Sequence, residues 1–175
     1  AHAGLARAYF RLDAMPEGRT HLEKAVALAG KAGDTTARAI TEKERGWILL
    51  LKQQLDLGEA PADKVEAARN AYREAVRALV ALDPADAHGW VQGGLATERG
   101  TWAIGQGGGI DAIAFYEAAL VRDPRHIGAH HFLVHAWENL GRHDKAAEHG
   151  AIYAAAVPGV AHAQHDAAAE IKIGG

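Results

Sequence analysis

Helical period, interrupted at intervals by proline, is the feature that most constrains this chain. Ala, Leu, Glu, Arg and Lys fill long segments in which apolar residues recur every three to four positions, and Gly, Pro or Asp separates them. Almost nothing alternates with the period of two that a strand requires. The pattern predicts helices over about 1–12, 16–30, 36–56, 62–82, 85–99, 111–122, 127–140, 144–157 and 160–171, with ends good to about two to four residues. The expected class is therefore all-α, built from antiparallel helical hairpins. Three of the segments close on proline, in "LDP" at 82–84, "RDP" at 122–124 and "AVPG" at 156–159. Those prolines, Pro84, Pro124 and Pro158, stand 40 and 34 residues apart.

A spacing of 34 is the length of a two-helix repeat, and six residues inserted at "GQGGG", 105–109, account for the interval of 40. Within residues 129–158, Leu133, Ala136, Trp137, Gly141, Ala146 and Pro158 occupy the places where the tetratricopeptide repeat carries Leu, Ala, Tyr, Gly, Ala and Pro. Ala112, Tyr116, Ala119, Asp123 and Pro124 fit the second helix of another unit, with Trp90, Gly94 and Ala96 in its first. Leu5, Ala6, Ala8, Tyr9, Leu22, Ala25 and Leu28 fit a further one. The chain thus resembles the tetratricopeptide repeat superfamily over most of its length. Two places depart from that pattern, with Gly150 where an aromatic is usual and Tyr153 where Ala is usual, an exchange that implies altered packing between helices.

The resemblance implies a stack of hairpins forming an α-solenoid, each burying an apolar face that it cannot bury alone. It divides a single domain, 1–175, into units at about 1–30, 36–84 (a lengthened hairpin), 87–124 (with the Gly-rich insertion), 127–158 and a partial unit at 161–175. The chain begins at Ala1 without Met and already inside a helical pattern, so it reads as a piece of a longer protein whose terminal units invite self-association.

Composition removes several classes of function. Cys and Ser are both absent, which excludes disulfides, thiolate metal sites and Cys or Ser nucleophiles. A formal charge of -3 with dispersed Lys and Arg argues against nucleic acid or anionic lipid as a partner. No apolar run approaches the roughly 20 residues a membrane span needs, Trp47 to Leu51 being far too short. A soluble protein is expected, with cytoplasm and periplasm left open. "GQGGG" resembles a phosphate loop only in composition: no strand precedes it, no GK[ST] follows, and Asp111 puts negative charge where a phosphate would sit.

Histidine is the informative residue type, with 11 in the chain. His131, His135 and Glu138, at i, i+4 and i+7 in "HHFLVHAWENLG", share one face of a helix whose other face carries Phe132, Leu133, Ala136 and Trp137. By the resemblance, those three positions line the concave groove where such proteins take a peptide or protein partner, and "VPGVAHAQHD" puts His162 and His165 on the same side. Val91, Leu95, Glu98 and Arg99 are the corresponding groove residues of the preceding unit. A pattern HxxxHxxE followed by HxxH also has the form of a nitrogen and oxygen metal site, with His131, His135, Glu138, His162 and His165 as candidate ligands. Similar histidines occur in a group of bacterial tetratricopeptide proteins, largely without assigned function, that carry PGxxHxxH after a His-bearing helix. With no thiolate available, Zn, Ni, Cu(II), Mn or Fe is the expected ion.

Two functions follow as expectations. The first is an interaction scaffold whose His-rich groove holds a divalent metal. The second is a metal-dependent hydrolase or oxidoreductase with Glu138 as a candidate ligand, a group orienting a ligand, or a general base for metal-bound water. HExxH is absent, so a zincin-type protease is not supported. His126, His130, His143 and His149 read as surface or packing residues.

Overall fold

The computed structural model describes residues 2–30, 40–98 and 107–164. Eight helices are laid out in chain order among them: α1 (His2–Arg11), α2 (Met15–Gly30), α3 (Glu42–Gly58), α4 (Val65–Leu82), α5 (Ala87–Leu95), α6 (Ile110–Arg122), α7 (Ile127–Asn139) and α8 (His143–Ala156). Residues 161–164 are also helical, and no strand occurs among the described residues. The expected start of α3 at 36 lies partly outside them. Its described end is set by a capping box, in which the Thr41 hydroxyl accepts from Glu44 N while the Glu44 carboxylate accepts from Thr41 N.

Helices pack in neighbouring pairs, α1 with α2, α3 with α4, α5 with α6 and α7 with α8. Two compact units result, Ala1–Leu82 and Asp83–Gly175. In the first, Ala6, Leu22 and Leu55 form a core against Phe10, Met15, Val26 and Leu51. Arg19 on α2 makes a two-pronged ion pair with Glu59 at the end of α3, and Gln54 donates to the buried Tyr72 hydroxyl.

In the second unit, Ala87, Val91, Ala112, Tyr116, Ala119, Ala129, Leu133 and Ala136 form the core, with Trp90, Phe132 and Trp137 packed on it. The turned-in face expected for α7 is thus present. Small residues set how closely the helices approach: a Cβ on Gly93 would overlap the Phe115 ring, and one on Gly94 the Tyr116 ring.

The hairpins α1–α2 and α7–α8 are built alike. His2 Nδ1 lies 2.9 Å from His21 Nδ1, and His130 Nδ1 lies 3.0 Å from His149 Nδ1, both pairs nineteen residues apart. Laying one pair on the other sets Leu5 on Leu133, Ala8 on Ala136, Tyr9 on Trp137 and Leu12 on Leu140. The turns match too. Ala14 N donates to Tyr9 O and Asp13 N to Phe10 O, just as Arg142 N donates to Trp137 O and Gly141 N to Glu138 O. This is the Schellman pattern, and its left-handed residue is Asp13 (φ 57°) in one hairpin and Gly141 (φ 69°) in the other.

A second correspondence relates the starts of α5 and α7. Asp83 and Asp123 each accept from the backbone two residues on, Asp86 and His126 cap the helices, and Trp90 and His130 each reach back to the proline carbonyl, Pro84 O at 2.9 Å and Pro124 O at 3.0 Å.

Candidate metal centre

The register shared by α5 and α7 puts Val91, Leu95 and Glu98 at the places of His131, His135 and Glu138. Burial separates the two sets. Val91 is 1% exposed, Leu95 7% and Glu98 6%, and Val91 belongs to the core with Ala112, Tyr116 and Leu133. Val91, Leu95 and Glu98, expected to line the groove, have covered side chains, as burial of aliphatic surface favours. Arg99 lies outside the described residues, as does His165.

On α7 the same face carries imidazoles, and they converge. His131 Nε2 is 3.0 Å from His162 Nε2 and 3.2 Å from His135 Nε2. One ligand nitrogen from each of His131, His135 and His162 lies within 4.8 Å of the others, an arrangement that could hold a metal ion. Two come from successive turns of α7, and the third from the helical turn that follows α8.

Glu138 stands behind them. Its Oε2 is 2.8 Å from His135 Nδ1, the ring nitrogen that faces away from the cluster. A carboxylate accepts, so Nδ1 carries the proton, and it is the neutral form of the ring that presents a bare Nε2 to its neighbours. Of the three roles the sequence leaves open for Glu138, ligand, group orienting a ligand or base, this contact matches the second, the carboxylate–histidine arrangement of many metal sites. The reason is length and spacing, since an i, i+3 carboxylate on the same helix meets the near edge of the ring.

With all three rings neutral, protons alone do not satisfy these contacts. If His131 Nε2 is bare, it meets bare His135 Nε2 lone pair to lone pair. If it is protonated, its single hydrogen must serve two acceptors at once. A positive ion taking one lone pair from each ring removes the conflict. Zn–N bonds of about 2.0–2.1 Å at a tetrahedral centre separate nitrogens by about 3.3 Å, within a few tenths of an ångström of the two spacings from His131.

His131 is also prepared electrostatically. Burial, and then the neighbouring His135 and His162, push its pKa from 6.5 down to about 4 against the opposing pull of Glu138, so the ring is neutral at pH 7. Tyr153 of α8 stacks on it, with centroids 4.9 Å apart and planes at 22°. Tyr153, three residues after Gly150, is thus the aromatic of α8 that packs on the His131 ring.

Sequence reasoning missed one arrangement beside the site. His130, expected at the surface or in packing, is 4% exposed. Its Nε2 donates to Pro124 O, which leaves Nδ1 bare to accept from His149. His149 and Tyr153 are one turn apart, so the same face of α8 that meets His130 meets His131. The signal was available in the repeated nineteen-residue His spacing and the shared "AHxxLxxA" of residues 1–8 and 129–136.

The chain matches no protein-family model, and no curated protein matches it significantly. No helix among the described residues is long and apolar enough to cross a membrane.

Proposed function

We propose that this protein is a tetratricopeptide-like helical module that binds one divalent transition-metal ion through Nε2 of His131, His135 and His162, with Glu138 orienting His135. The observation that carries the reading is the convergence of three ring nitrogens from two separate elements. The paired helices, the matched Schellman turns and the two equivalent Asp-Pro turns support a repeat architecture. Three imidazoles with the carboxylate held off the ion suit Zn, Ni or Cu(II), and suit Mn less, because Mn prefers oxygen. The peptide-groove reading loses ground because Val91 and Leu95, which would have contacted the peptide, are buried.

Calorimetric titration of untagged, metal-stripped protein with ZnCl2 tests the proposal. Stoichiometric binding by the wild type is expected, with a loss of at least about 100-fold in His131→Ala and His135→Ala at unchanged helical content. His88→Ala is the control, because that ring stacks on His126 at a centroid distance of 5.6 Å, away from the cluster. Equal, weak binding by the wild type and His135→Ala overturns the assignment.

A further inference from the structure

The three nitrogens are unequally held. His131 and His135 sit on adjacent turns of α7 and share its backbone. His162 belongs to a different piece of chain: α8 ends at Val157, whose φ of −133° and ψ of 63° leave the helical region, and Pro158 and Gly159 form a turn before helical structure resumes at 161. Among the described residues of that piece, Ala163 is buried, whereas Val160 is 42% exposed and Ala161, His162 and Gln164 are exposed as well. Gln164 Nε2 donates to Ala154 O, a contact back to α8. His162 reaches α7, through its 3.0 Å approach to His131 Nε2 and its stacking on the His135 ring.

We infer that a divalent ion bound by His131, His135 and His162 acts as a clasp that docks the segment 158–164 onto α7. The inference rests on the metal reading above and adds a regulatory consequence to it. With the segment docked, the ion meets three nitrogens, one from His162 and two from α7; undocked, α7 alone offers two. A ligand that binds one of two states better shifts the equilibrium toward that state, by as much as its affinity for the two differs. Metal must therefore favour docking, and by reciprocity docking must raise metal affinity by the same factor. The geometry suits the role, because an exposed ligand on a short segment beyond a Pro-Gly turn can leave while the α7 pair stays in place.

Backbone hydrogen exchange of the whole chain, with ZnCl2 or with chelator, reads this out. Two amides report on the segment, Val160 N, which donates to Val157 O, and Gln164 N, which donates to Val160 O. Zinc is expected to slow their exchange at least about tenfold, while amides around Leu50 in α3 remain unchanged. His162→Ala should lose that protection and bind zinc more weakly by a comparable factor. His162→Cys, which restores a zinc ligand, should recover both. Wild-type zinc binding by calorimetry with unchanged exchange at Val160 and Gln164 overturns the clasp alone. No zinc binding overturns the metal reading and the clasp with it.

Discussion

Glu138 Oε2 lies 2.8 Å from His135 Nδ1, on the opposite side of the ring from the nitrogen that faces His131. This relationship makes the carboxylate a positioning group, and Glu138→Gln should separate that role from direct ligation. Loss of an outer-sphere carboxylate costs about 10–100-fold in metal affinity. Calorimetry should place Glu138→Gln in that range, between the wild type and His135→Ala, with zinc stoichiometry unchanged.

The matched turns make a prediction of opposite sign at equivalent places. Asp13 adopts a left-handed conformation that glycine tolerates freely, so Asp13→Gly should stabilise the protein, by up to about 1 kcal/mol. Gly141→Ala imposes the same strain on the other hairpin and should cost about 1–2 kcal/mol. Urea denaturation of the two variants checks the pair, and shifts in the same direction would contradict the equivalence of the turns.

At Gly94 two local effects compete. Alanine is the better helix former by about 1 kcal/mol, yet its Cβ would overlap the wholly buried Tyr116 ring. Overpacking costs roughly 1–3 kcal/mol, so packing should win and Gly94→Ala should lower the urea midpoint. A higher midpoint would mean that α5 and α6 separate at little cost.

Acid should weaken the metal-free protein before it titrates any carboxylate fully. Burial, then His130, holds His149 at about 4 instead of 6.5, despite the pull of Glu148. Between pH 6.5 and 4 the unfolded chain binds a proton there that the folded chain does not, so stability is full above 6.5 and declines as pH falls toward 4. Urea midpoints at pH 7, 6 and 5 in the presence of chelator should fall in that order, and His149→Gln should reduce the slope, with His131, held equally low, supplying the rest. An unchanged slope in the variant would place the proton uptake elsewhere.

What the sequence determined by itself is local. Helices at period 3.6, the Asp-Pro turns and the turned-in Leu133 and Ala136 all depend on residues within a turn or two of one another, so they are legible from spacing. The stripe of His131, His135 and Glu138 is legible for the same reason. The tertiary structure alone decided what covers each face. Val91 and Leu95 share the register of His131 and His135, yet core packing closed over the first pair while the second met His162, 31 residues from His131 along the chain. It decided too which nitrogen of His135 meets Glu138, and it brought His130 to His149. Ring orientation and burial depend on non-local neighbours, and helical periodicity carries no information about which neighbour a face will meet.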